Sequence, residues 1–598
     1  MHTRKALLAA AAIVAVTFGA TTPPASAGRH PHPVRTTQLT LLATTDVHGN
    51  INNWDYFRNA PYTERTGDTK GLASVASIVD TVRADKGARK VVVVDNGDFL
   101  QGTPLDYYYA VQEPVTETGV DHPMAVAYNT IGYDAQVVGN HEFNYGLPLL
   151  GAYVKDADFP VLGANVISER TGRPALRPYT MISRKVAGGP PVTIGVVGVT
   201  TPGSQIWDKA NVEGKVRFDD MVDSAAKWVR VVRARGADVV VVLAHSGVGG
   251  GSSYGGDLPA ENPADIIAAQ VPGIDVVVVG HTHLDVPEQW VTNEVTGKQV
   301  LLTQPKFWGQ TVSEVDLTLT RTGGRGRADW TVSTMATTAL RSKDYIEDAT
   351  LTSALEPYHQ ATLDYVNQVV AQSVVELPAT ESRYRDTAIM DFIQQVQTET
   401  VQSALAGTAY ADTPVLSIAA PFSRTAVFPQ GDVTIRDIAG LYIYDNTLQA
   451  RLLTGQQVKD YLEYSAKYFE QVAPGGTFDP ATMTNAPAGA TPDYNYDIMS
   501  GVDYEIDLSQ PVGSRIVNLT MPDGTPVAMT DSFVVAVNNY RASGGGNFPG
   551  IATAPVVYND LVEIRQVLID WALARGVIDP ADFFVPNWRL TIAGEPAV

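Results

Sequence analysis

The sequence contains no cysteine, carries few positive charges and has a single long apolar segment. Because none of its 598 residues is cysteine, the protein can form neither disulfide bonds nor thiolate metal sites. Its 43 lysines and arginines are outnumbered by 64 aspartates and glutamates, which gives a formal net charge of −21. This charge argues against nucleic-acid polymers and anionic membranes as partners, because both are polyanions. Small anionic substrates are still compatible with it, since bound metal ions can reverse the local field.

The length and the composition are those of a multidomain globular protein. A chain of 598 residues predicts about two to four domains, at roughly 150 residues each. The hydrophobic fraction of 44% and the 51 glycines are ordinary for globular proteins. Without disulfides, the stability of the fold must come from large hydrophobic cores.

The single long apolar segment lies at the N-terminus. Arg4 and Lys5 precede an apolar run over residues 6–20, and Ala25-Ser26-Ala27 provides a small-residue cleavage pattern. A membrane anchor is the alternative, but a spanning helix needs about 20 apolar residues. This run is shorter and ends among threonines and prolines. We therefore predict a signal peptide over residues 1–27, a secreted product (extracellular or periplasmic) and no membrane anchor.

The first 340 residues contain short, valine-rich runs that predict buried strands. The runs lie at residues 39–42, 91–94, 136–138, 194–199, 239–243 and 274–279. Helical patterns lie between several of them, for example at residues 71–86 and 218–235. Near-continuous valine runs are typical of strands that are buried on both faces, which indicates a layered α/β domain.

The second part of the chain has a different character. A turn region rich in glycine and arginine at residues 320–330 leads into a last strand, and residues 343–375 have apolar positions at helical spacing. We predict that this helix links two domains. From about residue 376 tyrosine and asparagine become more frequent, with a helix predicted at residues 386–405 and a strand at 532–537. Residues 473–492 are rich in Pro, Gly, Thr and Ala and predict a surface excursion.

Side chains that can bind metal follow five of the predicted strands. The segments are, in chain order, Thr44–Asn50 (TTDVHGN), Asp95–Asp98 (DNGD), Gly139–Gly146 (GNHEFNYG), Leu243–Gly247 (LAHSG) and Gly280–His283 (GHTH). Ligands bind at the carboxyl ends of strands in open α/β sheets. Each motif alone has an ordinary alternative, such as a turn, a helix cap or a packed histidine. The occurrence of all five at strand ends favours one shared functional site.

Seven side chains in these segments are candidate metal ligands: Asp46, His48, Asp98, Asn140, His245, His281 and His283. One tetrahedral ion takes about four ligands, so the set predicts two divalent ions. Nitrogen and oxygen ligands without sulfur suit Zn, Mn, Fe or Co. A carboxylate between two ions about 3.5–4 Å apart would bridge them and leave room for a shared hydroxide as nucleophile.

The same segments resemble the motifs of the calcineurin-like metallophosphoesterases, in the same order. Within that superfamily the chain resembles the exported 5′-nucleotidase family over nearly its whole length after residue 27. The second half carries this resemblance in LYIYDNTL (Leu441–Leu448), YDIMSGVDYEID (Tyr496–Asp507) and NNYRASGGGNFP (Asn538–Pro549). Together with GNHEFNYG, these phrases are most similar to the branch of 2′,3′-cyclic-nucleotide 2′-phosphodiesterase/3′-nucleotidases.

The resemblance implies an α/β fold in three parts. A four-layer αββα metallophosphoesterase domain would span residues 36–340, a linking helix residues 341–370, and a C-terminal α+β substrate-specificity domain of the nucleotidase type residues 371–598. One metal ion would be bound by Asp46, His48 and His283. The other would be bound by Asn140, His245 and His281, with Asp98 as the bridge. His141 would not be a ligand but would stabilise charge or protonate the leaving oxygen, which typically accelerates a reaction by about 10²–10⁴-fold.

One residue departs from the family's common pattern. The 5′-nucleotidases usually have an aspartate three residues after the histidine that corresponds to His141, whereas this chain has Asn144. An asparagine can accept the ring N–H through its amide oxygen, but it brings no negative charge. This departure favours the cyclic-phosphodiesterase branch, in which a ribose oxygen leaves and must be protonated, and it leaves the protonation of His141 open.

The resemblance also implies a base-binding clamp in the C-terminal domain. Tyr444 and Tyr540 would sandwich the base, and base–aromatic stacking contributes about 1–3 kcal/mol for any base. Arg424, in the segment APFSRT, is the candidate for an arginine that contacts the substrate. The alternatives are half-buried structural tyrosines and a surface arginine.

The sequence therefore predicts a monomeric, exported phosphoesterase that acts on small nucleotide substrates with two divalent metal ions. It would open 2′,3′-cyclic nucleotides to 3′-nucleotides and then hydrolyse these to nucleosides and phosphate. A 5′-nucleotidase or nucleotide-sugar hydrolase of the same fold is one alternative. An exported nucleotide-binding protein without turnover is another, although the presence of all seven predicted ligands argues against it.

Overall fold

The structure, a computed structural model, describes residues 35–64, 66–186, 189–254, 258–321, 330–486, 491–560 and 562–598. The predicted signal peptide at residues 1–27 lies outside these ranges, as does most of the turn region at 320–330. In the part of the chain that is described, no helix has the length and the apolar character needed to span a membrane.

Two six-stranded sheets form the first part of the chain. The strands of the first sheet are, in spatial order, Trp330–Arg341, Thr311–Arg321, Thr36–Thr44, Val91–Asp95, Ala135–Val137 and Val161–Leu162. Those of the second sheet are Asp285–Thr292, Gln299–Pro305, Val276–Val279, Val239–His245, Val192–Thr200 and Tyr179–Arg184. The central strands pair in parallel, so their carboxyl ends lie on the same edge. All six valine-rich runs overlap strands of these sheets.

The two sheets pack face to face, and helices cover both outer faces. Along the strand Val239–His245, Val241 and Leu243 face the core between the sheets, whereas Val240 and Val242 face the helices on the other side. The helices Met221–Ala234 and Ala264–Gln270 cover the second sheet, and the first sheet is covered by Leu72–Lys86, Pro123–Ile131, Gly146–Asp156 and Ala349–Val366. Burial on both faces explains the unbroken valine runs and confirms the four-layer αββα fold.

The C-terminal part is an α+β unit with its own hydrophobic core. Its main sheet has five strands in the order Ile498–Ser500, Val415–Ala419, Ser532–Asn538, Leu448–Thr454 and Val556–Tyr558. Its longer helices are Ala388–Leu405, Ile435–Leu441, Gly455–Ser465 and Ile564–Arg575. One smaller sheet consists of Gly431–Thr434, Val369–Ser373 and Val577–Ile578, and another of Ile516–Thr520, Asp503–Asp507, Trp588–Ile592 and Glu595–Pro596. The short strands Leu377–Pro378 and Val427–Phe428 pair with each other.

The helix between the two parts is shorter than the predicted helix at residues 343–375. It spans Ala349–Val366 and begins after Asp348, whose side chain accepts a hydrogen bond from the backbone N–H of Leu351. The next residues, Val369–Ser373, form a strand that pairs with Gly431–Thr434. The predicted helix was therefore too long at this end. Val370 fits the helical spacing but lies in a strand, because pairing within a sheet overrides local helical preference.

Contacts between the two parts involve Tyr107 and Asp445. Tyr107, at the end of the short helix Pro104–Tyr107, is buried in the hydrophobic core of the C-terminal part. Asp445 accepts hydrogen bonds from the side chains of Gln101 and Tyr145, each at 2.7 Å. These contacts hold the C-terminal part against the edge of the first sheet at which the candidate ligands lie.

Candidate metal centre and substrate cavity

Six of the seven predicted ligands form two clusters at the carboxyl ends of the strands. The first cluster consists of Asp46, His48 and His283, and the second of Asp98, His245 and His281. In each cluster, one potential ligand atom per residue lies within 4.8 Å of the others. The structure therefore brings six of the candidate side chains together in two groups, and their binding of metal ions stays a prediction.

Asp98, a member of the second cluster, also lies close to the first. Its Oδ2 atom is 3.0 Å from Nε2 of His245 and 3.9 Å from Nε2 of His48. On the other side, Oδ1 of Asp46 lies 3.4 Å from Nε2 of His283 and 4.0 Å from Nε2 of His245. The clusters are thus adjacent, and a single carboxylate oxygen of Asp98 is near a histidine of each.

Asn140 offers a further ligand atom in the cavity that the second cluster lines. Its side-chain oxygen is buried and has no hydrogen-bond partner among the described residues, although buried polar atoms are normally hydrogen-bonded. Asn140 also lines the same cavity as Asp98 and His281. A divalent cation would satisfy this oxygen, so the donor set of carboxylates, imidazoles and an amide oxygen fits a centre of two ions.

Five of the predicted ligands have an unusual backbone conformation. The φ angles of Asp46, His48, Asp98, His281 and His283 lie between 49° and 68°. Residues other than glycine rarely adopt this left-handed region, which costs of order 1–3 kcal/mol each, and such strain concentrates at functional sites. The tight turns after the strands direct the five side chains into one small volume.

Backbone carbonyl groups orient the imidazoles of His48 and His245. Nδ1 of His48 lies 2.8 Å from the carbonyl oxygen of Gln101, and Nδ1 of His245 lies 2.7 Å from that of Asn96. A carbonyl oxygen only accepts hydrogen bonds, so each Nδ1 carries a proton. When such a ring is neutral, its Nε2 atom keeps a lone pair for a metal ion.

Glu261 orients a third imidazole and was missed in the sequence. Its Oε1 atom lies 2.8 Å from Nε2 of His281, which leaves Nδ1 of that ring as the atom that can bind a metal. Glu261 belongs to the loop between the strand Val239–His245 and the helix Ala264–Gln270. No spacing in this loop distinguishes Glu261 from an ordinary surface acid.

Burial and charge shift the pKa values of His48 and His245 in opposite directions. Burial lowers the pKa of His48 to about 3, so its ring is neutral at physiological pH. Burial would also lower the pKa of His245, but the neighbouring carboxylate of Asp98 raises it to about 10. A cation in the second cluster would replace the His245 proton, because a histidine binds metal as the neutral ring.

Glu142, the acidic residue in the segment GNHEFNYG, holds two of the ligand-bearing turns together. Its buried carboxylate accepts hydrogen bonds from the backbone N–H groups of Asp98, Phe99 and Leu100, at 2.7–3.1 Å. It also accepts one from the N–H of Gly139. Glu142 therefore fastens the turn that carries Asp98 to the turn that carries Asn140.

His141 lies beside the two clusters, and Asn144 holds its ring. The backbone N–H of His141 donates to Oδ1 of Asp98 at 2.9 Å, and Nδ1 of His141 lies 2.6 Å from Oδ1 of Asn144. The amide of Asn144 in turn donates to Oδ1 of Asp208 at 2.7 Å. Asp208 was missed in the sequence because it is 64 residues away from Asn144, in a segment without a recognisable motif.

A cavity of about 1000 Å³ lies between the two parts of the chain. One wall carries Asp98, Asn140, His141, His281 and His283, and the other carries Tyr444 and Tyr540. Trp207 and Tyr494, which were not predicted, line it as well. Trp207 stacks on the ring of His281 at 5.6 Å between centroids, and Tyr494 contacts Tyr444 edge to face at 6.4 Å.

The structure does not bring Arg424 to this cavity: it is absent from the described residues that line it. Its guanidinium donates to both carboxylate oxygens of Asp493 and to the side-chain oxygen of Asn485. The side chain of Arg424 is 48% exposed. A substrate contact of Arg424 stays a prediction, and it would require this ion pair to rearrange.

Comparisons with known families agree with this geometry. The family described as calcineurin-like phosphoesterase matches residues 39–285, and the family described as 5′-nucleotidase, C-terminal domain matches residues 369–553. The 2′,3′-cyclic-nucleotide 2′-phosphodiesterase/3′-nucleotidase of Haemophilus influenzae is 35% identical to this chain, over 92% of this chain and 87% of its own length.

Two further proteins are similar over most of this chain. The trifunctional nucleotide phosphoesterase protein YfkN of Bacillus subtilis is 32% identical over 92% of this chain, but this chain spans only 39% of that longer protein. The crystal structure of the 5′-nucleotidase precursor of Thermus thermophilus superposes with a TM-score of 0.62. It is 24% identical and covers 94% of this chain and 100% of its own chain, so it supports the fold alone.

The matches and the paired Asp/His clusters place the chain among the calcineurin-like phosphoesterases, enzymes that hydrolyse phosphoric esters at dimetal centres. More narrowly, the chain belongs to the 5′-nucleotidase family. The predicted resemblance to its 2′,3′-cyclic-nucleotide 2′-phosphodiesterase/3′-nucleotidase branch is confirmed.

Proposed function

We propose that the protein is an exported phosphoesterase that hydrolyses 2′,3′-cyclic nucleotides to 3′-nucleotides, and these to nucleosides and phosphate. One observation carries the proposal: a single cavity is lined by ligands of the Asp/His clusters and His141 on one side and by Tyr444 and Tyr540 on the other. A nucleotide has the matching chemistry, with a phosphate at one end and an aromatic base at the other. The name of the Haemophilus influenzae relative supports the same substrate class.

In this proposal the seven predicted ligands hold two divalent ions, with Zn, Mn, Fe and Co as the candidates. Asp46, His48 and His283 hold one ion, Asn140, His245 and His281 hold the other, and Asp98 is shared. When bound, such a pair of ions polarises the phosphate and activates the attacking water. The chain contributes rigid orientation of the ligands through Glu142, Glu261 and the carbonyl groups of Gln101 and Asn96.

His141 has the role of proton donor in this proposal. In the first reaction, the oxygen of water bonds to phosphorus and the water loses one proton. The bond from phosphorus to O2′ breaks, and O2′ takes one proton to become a hydroxyl group, so the protons balance. In the second, the bond from phosphorus to O3′ breaks in the same way. His141 lines the cavity and is held by Asn144 at 2.6 Å, so we assign to it the proton that each leaving ribose oxygen requires.

Tyr444 and Tyr540 form the proposed base clamp. The cavity of about 1000 Å³ is at the upper end of the range that ligand pockets usually occupy. Stacking between base and tyrosine tolerates every base, since each base has an aromatic face. We therefore propose little discrimination between purine and pyrimidine nucleotides.

The division of the chain and its localisation are also part of the proposal. The domain limits 36–340, 341–370 and 371–598 are supported by the matched ranges 39–285 and 369–553. Export to the extracellular or periplasmic space is supported by the signal-peptide pattern in residues 1–27. We further propose that the protein acts as a monomer without a membrane anchor.

A 5′-nucleotidase or nucleotide-sugar hydrolase is the second candidate, because the matched C-terminal family is named for 5′-nucleotidases. Initial rates with 2′,3′-cyclic AMP, 3′-AMP, 5′-AMP and UDP-glucose, measured with added Mn or Zn, test the choice. We expect the first two substrates to be hydrolysed fastest. A dominant rate with 5′-AMP or UDP-glucose would instead establish the second candidate, and tight binding without phosphate release would establish a nucleotide-binding protein.

A further inference from the structure

Asp208 is a buried acid that neither the metal centre nor the base clamp explains. It is 5% exposed and stands directly before the short helix Lys209–Val212. An aspartate at this position usually accepts a hydrogen bond from the first N–H groups of the helix. Within the described part of the chain the Asp208 side chain makes no such bond, so its carboxylate serves another purpose.

The carboxylate of Asp208 is the end of a hydrogen-bonded chain that leads to His141. Oδ1 of Asp208 accepts from Nδ2 of Asn144 at 2.7 Å, and Oδ1 of Asn144 lies 2.6 Å from Nδ1 of His141. The other oxygen of Asp208 is buried without a partner among the described residues. Among the described residues, Asn144 is therefore the one hydrogen-bond donor to the Asp208 carboxylate.

The direction of these two hydrogen bonds follows from the chemistry of the Asp208 carboxylate. An ionised carboxylate only accepts hydrogen bonds, so the Asn144 amide must turn its NH₂ group towards Asp208. The amide oxygen then faces His141 and requires a proton on Nδ1 of the ring. Nε2 is left as the nitrogen that exchanges a proton with the substrate.

Anchoring of the neighbouring helix does not account for Asp208. Asn211, on the same helix, already donates from its side chain to the backbone carbonyl groups of Phe143 and Asn144, at 3.0 and 2.7 Å. These bonds tie the helix to the turn of His141 without the carboxylate. An asparagine at position 208 could also fill the same space, so packing alone does not require an acid.

We propose that Asp208 is a positioning residue that acts through Asn144 to fix the orientation and the protonated nitrogen of His141. The proposal rests on the proposed role of His141 as proton donor to the leaving oxygen. Asn144 and Asp208 together then do what a carboxylate next to the histidine would do, with the negative charge placed one residue further away.

The sharpest test of this positioning role exchanges the side chains at positions 144 and 208. In Asp208→Asn the second amide can donate as well as accept, so Asn144 can reverse and present its NH₂ group to His141. In Asn144→Asp two carboxylates face each other across about the present 2.7 Å, which is unfavourable unless they share a proton. The double variant Asn144→Asp/Asp208→Asn restores one carboxylate and one amide, with the acceptor again next to His141.

We expect Asp208→Asn and Asn144→Asp each to lower kcat for 2′,3′-cyclic AMP by roughly tenfold to a hundredfold, as part of the effect of a general acid. The double variant should recover to within about threefold of the wild-type value. The assays are made at pH 8.5, because burial raises the pKa of Asp208 to about 7 and the wild-type carboxylate is then ionised. Asp219→Asn is the matched control, since it removes the charge of a partly exposed acid paired with Arg217.

A second substrate separates positioning from a general structural effect. Bis-p-nitrophenyl phosphate releases p-nitrophenolate, which leaves without needing a proton, so its kcat should change little in the single variants. Equal losses on both substrates would overturn the proposal, and so would a double variant no more active than Asp208→Asn. If 2′,3′-cyclic AMP is not a substrate of the wild type, the proposed function fails, but the same comparison is made with whichever nucleotide the protein hydrolyses.

The nitrogen resonances of the ring provide a readout that does not depend on turnover. In Zn-loaded protein with ¹⁵N-labelled histidine, His141 is assigned by its loss in His141→Ala. We expect Nδ1 of His141 to be the protonated nitrogen in the wild type and in the double variant, and the tautomer to be mixed in Asp208→Asn. An unchanged tautomer in Asp208→Asn would overturn the proposal.

Discussion

Gly545 is the position at which the proposed base clamp can be disturbed without removal of an aromatic ring. A Cβ atom at this position would lie 2.5–2.6 Å from three atoms of the Tyr540 ring, whereas non-bonded carbons pack at about 3.5–4.0 Å. The ring must therefore move by about 1 Å in Gly545→Ala. Gly545 lacks the left-handed φ of its neighbours Gly544 and Gly546, so the backbone itself accommodates alanine.

The size of the effect follows from the stacking that is lost. Base–aromatic stacking contributes about 1–3 kcal/mol, and each 1.4 kcal/mol corresponds to a factor of ten. Displacement of Tyr540 should therefore raise KM for 2′,3′-cyclic AMP by roughly fivefold to a hundredfold, with Tyr540→Ala as the upper limit. Bis-p-nitrophenyl phosphate has no nucleobase, so its KM should rise much less.

Steady-state kinetics on both substrates check this prediction. Gly440→Ala is the matched control, because the nearest described atom to its added methyl group is Cβ of Phe57 at 3.6 Å, an ordinary contact. An unchanged KM for the nucleotide in Gly545→Ala would show that Tyr540 is not a base platform. Equal rises for both substrates would show that the substitution acts on the fold.

The remaining predictions concern the metal centre, the second tyrosine and the pH dependence of stability. Asp98→Ala should lose bound metal and nearly all turnover, because one shared ligand is removed; two fully occupied ions in this variant would contradict the bridging role. Glu261→Gln should weaken metal binding by roughly tenfold to a hundredfold, as loss of a partner of a metal-bound histidine typically does, and metal titration measures it. Tyr444→Ala should raise KM for nucleotides by roughly tenfold to a hundredfold, and an equal effect on bis-p-nitrophenyl phosphate would refute a stacking role. Burial and the neighbouring Asp386 raise the pKa of Asp391 to about 8, so the folded state holds a proton that the unfolded state releases near pH 4. This residue should therefore make stability fall between about pH 4 and 8, and Asp391→Asn should reduce the fall in Tm over that range; identical Tm curves would refute this.

The fold and the clustering of the candidate metal ligands could be predicted because their signals are local in the sequence. Valine-rich runs indicate strands buried on both faces, and the residues directly after a strand must lie at the edge of the sheet. Asp46, Asp98 and His245 each follow such a run within a few residues. The order of the strands then brings ligands from distant parts of the chain together.

Residues that contact the site from loops far along the chain could not be predicted in this way. Asp208 and Glu261 lie in loops whose composition is ordinary, and only their distances to Asn144 and His281 reveal them. The predicted end of the linking helix was wrong for a related reason. Val370 fits a helical pattern, but hydrogen bonding to Gly431–Thr434 makes its segment a strand, and strand pairing depends on residues far along the chain.

The proposed activity is tested most directly by the fate of 2′,3′-cyclic AMP in the presence of the purified protein and Mn or Zn, followed by ³¹P NMR. We predict that the cyclic diester signal is replaced first by that of 3′-AMP and then by that of inorganic phosphate, with His141→Ala strongly slowed in both steps. A cyclic diester that persists while 5′-AMP is hydrolysed under the same conditions, or 2′-AMP as the first product, would contradict the proposed activity.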